Sequence, residues 1–140
     1  MAQQVQDIMT RRLYTVPSDA TLLDVARLMR DQRIGDVLVT NGDGTLRGIV
    51  TDRDLVVRAD ASAMPLDTTQ VGEICTDGLV KLTPTASLDE AVKVMRQYAI
   101  RRVPVVREGQ AIGIVSIGDL ARYKDPDSAL AQISSAAPNN

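Results

Sequence analysis

Two short segments carry the residues most able to do chemistry, Thr51-Asp52-Arg53-Asp54 and Ser116-Ile117-Gly118-Asp119. Each sets a carboxylate three residues after a hydroxyl, where a β-forming apolar run gives way to a helical pattern. A helix starting there exposes unpaired backbone N–H groups and the positive end of its dipole, which suits a phosphate. The hydroxyl of Thr51 or Ser116 can donate to a phosphate oxygen. The carboxylate of Asp54 or Asp119 can accept from both hydroxyls of a ribose. The same spacing also fits a capping box that needs no ligand, with Asp a shorter stand-in for Glu. The two roles are compatible, because one carboxylate offers several lone-pair sites.

Composition narrows the chemistry further. The chain has 140 residues, no His, no Trp, no Phe and one Cys. Without His there is no Ser-His-Asp or Cys-His nucleophile system and no ordinary zinc site. A single Cys gives no disulfide framework and no CxxC motif. With no clustered carboxylate motif either, the chain is not expected to be an enzyme. The net charge of −2 and a sequence pI near 5.0 argue against general binding to nucleic-acid backbones. Few aromatics leave little for stacking bases. The apolar runs are far short of a membrane span and the N-terminus lacks a signal pattern, so a reduced, cytoplasmic protein is expected.

The elements that must position these segments occur twice. Residues 5–10 read VQDIMT and residues 71–76 read VGEICT. At the same offset Leu13 meets Leu79, Ala20 meets Ala86, Leu22 meets Leu88 and Met29-Arg30 meets Met95-Arg96. Ile34 meets Ile100, Val37 meets Val103 and Val39 meets Val105. With the offset shortened by one, Gly48-Ile49-Val50 meets Gly113-Ile114-Val115 and Asp54-Leu55 meets Asp119-Leu120. Each copy predicts a short strand (13–16, 79–82) and a helix capped by Thr21/Asp24 or Ser87/Glu90. One apolar face follows each cap: Leu22, Val25, Ala26, Met29 and Leu88, Ala91, Val92, Met95. Then comes a hairpin turning at Asn41-Gly42-Asp43-Gly44 or Glu108-Gly109, and a second short helix from Asp52 or Ile117. The unit is β-α-β-β-α, with parallel first strands joined by a right-handed crossover. The expected domains are a first repeat over 1–60, a polar linker over 61–70, a second repeat over 71–123 and a tail over 124–140. The tail suggests fraying, with a helical turn possible in pattern over 128–133. A unit of about fifty residues has a marginal core alone, so the pair is expected to fold together.

This α+β organisation resembles the CBS domain pair, or Bateman module. Three features carry the likeness: the tandem unit, the strand Arg101-Arg102-Val103-Pro104-Val105-Val106, and the two Gly-apolar-apolar-Thr/Ser-x-x-Asp heptapeptides at 48–54 and 113–119. The resemblance implies a stand-alone regulatory module. It would sense an adenosine-containing ligand (AMP, ADP, ATP or S-adenosylmethionine) in a cleft between the repeats. With no enzyme or channel domain attached, its output would go to a separate protein partner in trans or through a homodimer. The ligand is regulatory, and no cofactor is required. The alternative is a dimerisation or scaffold module that needs no ligand.

The family's geometry implies two clefts, each joining one repeat's Thr/Ser-x-x-Asp segment to strand residues of the other. The first would hold Thr51, Arg53 and Asp54 with Leu79, Val80, Ile100, Arg101, Arg102 and Pro104. The second would hold Ser116, Gly118 and Asp119 with Leu13, Tyr14, Gly35 and Asp36. In the second, Gly35 and Asp36 stand where Arg101 and Arg102 stand in the other copy, and Gly118 replaces Arg53. The first cleft is therefore expected to accept phosphate. The second is expected to be empty or to take a nucleoside or a cation. Bland roles stay open beside these. Arg53, Arg101 and Arg102 can be solvated residues near helix ends, and neighbours on a strand point to opposite faces. Tyr14 can stack on a base or pack on a strand face, Cys75 reads as a small packing residue, and Arg11, Arg12, Arg58 and Arg122 read as solvated surface.

Overall fold

A computed structural model describes residues 3–76 and 79–124. The elements in chain order are α1 (Val5–Ile8), β1 (Thr15–Pro17), α2 (Leu22–Gln32), β2 (Asp36–Thr40), β3 (Leu46–Thr51) and α3 (Asp52–Asp54), which runs on as a π-helix over Leu55–Asp60. A 3₁₀ turn (Val71–Glu73), α4 (Leu88–Tyr98), β4 (Arg102–Arg107), β5 (Gln110–Ser116) and α5 (Ile117–Lys124) follow. The expected tail, with its helical turn over 128–133, lies outside the described residues from 125 on. No helix among the described residues is long and apolar enough to cross a membrane.

The described residues form two compact units. One joins the residues up to Leu13 with those from Val80 onward, and the other is Tyr14–Leu79. In the second of these, β1 pairs parallel with β2, and β2 pairs antiparallel with β3. In the first, β4 and β5 form the matching antiparallel hairpin. The strand expected over 79–82 is reduced there to a single parallel bridge, Leu82 to Val105, because its backbone bonds stop at Leu82 N–H to Pro104 O and Val106 N–H to Leu82 O.

The helices start and stop where the sequence dictates. Thr21 and Asp24 form a complete box: Oγ1 of Thr21 accepts from the Asp24 N–H at 3.1 Å, and Asp24 accepts from the Thr21 N–H. At Ser87 the hydroxyl half forms, accepting from the Glu90 N–H at 3.0 Å. Both helices end on a left-handed residue that is not glycine, Arg33 (φ 56°) and Ala99 (φ 53°). The next N–H reaches back: Ile34 donates to Met29 O and Ile100 to Met95 O, at 3.1 and 3.0 Å. This Schellman closure packs the half-buried apolar residue after it against the core and turns the chain into Gly35-Asp36 or Arg101-Arg102.

Repeat and compact unit do not coincide, because each repeat's leading segment packs in the unit of the other. Val5 N–H donates to Ala86 O at 2.8 Å and Gln6 N–H to Pro84 O at 3.1 Å. The counterparts are Val71 N–H to Ala20 O at 2.8 Å and Gly72 N–H to Ser18 O at 2.9 Å. Val5 and Met9 accordingly join the core of Leu88, Met95 and Val103. Val71, Ile74 and Cys75 join the core of Leu22, Val25 and Val37. A core this small is completed by the fully buried valine that each segment brings. The linker over 61–70 is docked rather than loose. Thr69 O and Leu66 O accept the first N–H groups of α2, from Leu22 and Leu23, at 3.0 and 2.9 Å. Ala59, just before the linker, is fully buried.

The glycines of the two heptapeptides admit these segments. Thr10 pairs with Ile114 through two backbone bonds of 2.8 and 3.0 Å, and Thr76 pairs with Ile49 through two of 2.9 and 3.3 Å. A methyl at Gly48 would strike the carbonyl oxygen of Thr76, whereas one at Gly113 would strike the Met9 thioether. A backbone atom held in a ladder cannot yield as a methionine side chain can. Gly48→Ala is therefore expected to cost about 1–3 kcal/mol, typical of overpacking, and Gly113→Ala less. Urea unfolding of the two variants checks the order, and equal losses would refute it.

Candidate functional site

In the unit beginning again at Val80, β5 ends at Ser116 and α5 begins at Ile117. The hydroxyl–carboxylate pair closes into a full box. Ser116 N–H donates to Asp119 Oδ2 at 2.9 Å, and Asp119 N–H donates to Ser116 Oγ at 3.1 Å. Across the ladder Arg102 stands opposite Ser116, and Ile117 N–H donates to Arg101 O at 2.9 Å. Register and turn thus set the two arginines beside the start of α5. A 310 Å³ cavity lies there, lined by Arg101, Arg102, Ser116, Ile117, Gly118 and Arg122. Three guanidiniums and a serine hydroxyl face one volume, a receptor type suited to phosphate or another small oxyanion. While Ser116 Oγ accepts from Asp119, its O–H proton stays available to a ligand.

Asp119 lies under this cavity, and it is the single buried charged residue among those described, 5% exposed. Its carboxylate accepts Ser116 N–H on Oδ2 and the Arg122 guanidinium on Oδ1, with Thr10 Oγ1 at 3.5 Å from both oxygens. Arg122 is thus no solvated surface residue. It holds the buried carboxylate from one turn along α5 and lines the cavity. Its spacing from Asp119 is visible in the sequence, and so is its loss from the first repeat, where Val57 takes the place.

The equivalent place in the other unit is built alike and charged oppositely. Thr51 N–H donates to Asp54 Oδ2 at 2.9 Å and Asp54 N–H to Thr51 Oγ1 at 3.1 Å. Asp36 faces Thr51 across the ladder, and Asp52 N–H donates to Gly35 O. The Asp52 carboxylate sits so close over Gly35 that a Cβ there would lie 3.1 Å from Oδ2. Asp36 and Asp52 thus stand at the strand end where the second repeat has Arg102 and Ile117. Asp54 is half-buried, and among the described residues its Oδ1 carries no hydrogen bond. Arg53 is exposed.

The other expected site residues divide between the units. Arg101 and Arg102, assigned to one implied cleft, share their cavity with Ser116 and Gly118, assigned to the other. Ile100 is half-buried against its core, and Pro104 is buried in β4. Leu13 and Val80, in that unit, and Leu79, in the other, are half-buried. Tyr14 is half-buried beside β2, its hydroxyl 3.2 Å from Gln32 Oε1 and its carbonyl accepting from Leu38 N–H. Cys75 is buried and packs near Gly48. No group of three or more His, Cys, Asp or Glu able to hold a metal occurs among the described residues.

The CBS domain family model matches residues 5–60 and 71–125, and the chain belongs to that family as a CBS domain pair. Proteins built on this domain are generally regulatory rather than catalytic. The chain is 35% identical over 127 residues to Hypoxic response protein 1 of Mycobacterium tuberculosis, covering 91% of this chain and 88% of that protein. It superposes on the crystal structure of Hypoxic Response Protein I with a TM-score of 0.79 at 33% identity, over 86% of this chain and 98% of that one. That structure holds two coordinated zinc ions. The CBS domain pair of protein MJ0100, in complex with 5′-methylthioadenosine and S-adenosyl-L-methionine, superposes with a TM-score of 0.78 at 24% identity, over 91% of this chain and 100% of that one, and shows the fold alone.

Both boxes close on their own atoms, so each hydroxyl carries a capping role whatever else it does. Ser116→Ala and Thr51→Ala are each expected to lower stability by about 1 kcal/mol. The urea midpoint measures this, and an unchanged midpoint would remove the cap from the account.

Proposed function

We propose that this CBS pair senses an adenosine-containing ligand bearing phosphate. The observation that carries the reading is the cavity where Arg101, Arg102 and Arg122 converge with Ser116. The phosphate is assigned to Arg101, Arg102 and the Ser116 hydroxyl. The family resemblance assigns Thr51, Arg53 and Asp54, whose Oδ1 carries no hydrogen bond among the described residues, to a ribose and its phosphate in the unit Tyr14–Leu79. Leu79, Val80, Ile100 and Pro104 supply apolar and backbone contact to the base, as the family resemblance implies. The acidic group of Asp36 and Asp52, with Gly35, Leu13 and Tyr14, suits a nucleoside or a cationic ligand such as S-adenosylmethionine. Ligand binding shifts the protein towards whichever conformation it prefers, by no more than its differential affinity. The signal passes to a protein partner or through a homodimer.

Calorimetry on protein stripped of ligand tests this with AMP, ADP and ATP. Arg101→Ala and Arg102→Ala are expected to weaken AMP roughly tenfold or more in combination, in line with the loss of charge-assisted bonds. Asp54→Ala weakens it more than Asp119→Ala does. Absence of heat and of any thermal shift at millimolar nucleotide overturns the proposal.

A second reading, a dimerisation module needing no ligand, is favoured by a different feature. An apolar groove of 370 Å³ runs along α4 and α5, lined by Val92, Met95, Ile100, Ile117, Leu120 and Ala121. Tyr98 and Tyr123 are exposed on the same two helices. A second copy seated there would cover surface that water now meets. Sedimentation with and without AMP separates the readings. A dimer indifferent to nucleotide, with no calorimetric binding, favours the second.

A further inference from the structure

We infer that Arg122 is a positioning residue for ligand binding: paired with the buried Asp119, it compensates and orients that carboxylate to accept the ribose hydroxyls of an adenosine ligand. The inference rests on the proposed reading of the cavity beside α5 as a nucleotide receptor, with phosphate on Arg101 and Arg102.

The side chain of Asp119 is 4% exposed. Burying a carboxylate is costly unless a partner of opposite charge comes with it. Arg122 supplies that partner, its guanidinium donating to Oδ1 from one turn along α5. Ser116 N–H donates to Oδ2 at 2.9 Å, so the group is held at both oxygens. Thr10 Oγ1 lies at the limit of reach, 3.5 Å from each. A carboxylate has about four lone-pair sites, and two firm bonds leave acceptor capacity for the two hydroxyls of a ribose. The residues that grip it, Ser116 and Arg122, both line the cavity with Arg101 and Arg102. An acceptor already held in one orientation spares the ligand the cost of ordering it.

The other repeat supplies an internal comparison. Asp54 closes the same box with Thr51 but is half-buried, and Val57 stands at the position of Arg122. A carboxylate that water still reaches needs no paired cation. The arginine is present in the copy where burial demands it. Arg122 therefore serves the ribose end of the ligand, and Arg101 and Arg102 the phosphate end.

Two ligands of equal charge, AMP and 2′,3′-dideoxy-AMP, isolate the hydroxyls. Wild type is expected to prefer AMP about tenfold or more, the scale of hydrogen bonds to a charged acceptor. Arg122→Gln is expected to cut that preference at least about threefold, because the acceptor is no longer held in place. Loosened packing would weaken both ligands alike, and so would loss of a direct phosphate contact, so neither moves the ratio. Calorimetric titration of each ligand reads it, with urea unfolding to confirm that the variant is folded. A smaller change in the ratio, or a wild type that binds AMP with no preference for the hydroxyls, overturns the inference and leaves the proposed function standing. No AMP binding by wild type overturns both. Should Arg122→Gln fail to fold, the neutral pair Asp119→Asn/Arg122→Gln, which strands no buried charge, is compared with Asp119→Asn. Loss of the preference in Asp119→Asn, with AMP affinity equal within about twofold in the two proteins, supports the inference. A preference kept in Asp119→Asn, or AMP weakened by more than that in the double variant, overturns it.

Discussion

The structure depends on a close backbone passage at two glycines. Thr76 runs past Gly48 and Thr10 past Gly113, each tied to the next residue of the strand by a pair of N–H···O bonds. A side chain at Gly48 would push the passing backbone of Thr76 away, whereas one at Gly113 would first displace the Met9 side chain. At Gly48 that displacement would reach Val71, the valine that completes its core. The consequence reaches the site. The passage that seats Met9 under Gly113 also delivers the Thr10 hydroxyl to Asp119. In the heptapeptide Gly-apolar-apolar-Thr/Ser-x-x-Asp, the glycine therefore has a packing reason, and only the hydroxyl and carboxylate have a ligand reason available to them.

From this shared frame the two repeats diverge by charge. The backbone route is the same in both: a left-handed cap, a dipeptide, a strand, a hairpin, then a box at the strand end. What differs is which side chains the route exposes beside the box. Arg101 and Arg102 meet Ser116 and Arg122 in one repeat, while Gly35 and Asp36 meet Thr51 and Asp52 in the other. The two carboxylates at equivalent places also end differently. Asp119 is buried and paired with Arg122, whereas Asp54 is half-buried with no hydrogen bond on Oδ1 among the described residues. A duplicated scaffold thus carries a basic cavity in one unit and acidic side chains at the equivalent strand end of the other.

Much of this was legible in the residues. The offset that matches Leu22 with Leu88 and, shortened by one, Gly48 with Gly113 located the capped helices and the hairpins of both copies. The boxes at Thr21, Thr51 and Ser116 form as their spacing requires. Two things were not legible. Periodicity reports which face of an element is buried, never against which partner, so the exchange of residues 5–10 and 71–76 between repeats left no signal in apolar spacing. The matching of VQDIMT with VGEICT marked those segments as equivalent without saying where they pack. The partner of Asp119 was hidden for a related reason. An arginine three residues on from an aspartate is usually a solvated pair on a helix surface, and only burial of the carboxylate turns it into part of the cavity wall.

Burial also decides how a signal could leave the basic cavity. Asp119 touches Thr10, so an anion that drew Arg122 away would alter a contact to the N-terminal segment. That contact is weak, at 3.5 Å from each carboxylate oxygen. The segment is held elsewhere, by two Thr10–Ile114 bonds of 2.8 and 3.0 Å and by Val5 and Met9 in the core. Losing the side-chain contact would leave those bonds in place, since hydrogen bonds near 2.9 Å are far stronger than one at the limit of reach. The connection from the cavity is therefore electrostatic before it is mechanical. On the proposed function, a phosphate in the cavity would meet the Asp119–Arg122 pair at the start of α5.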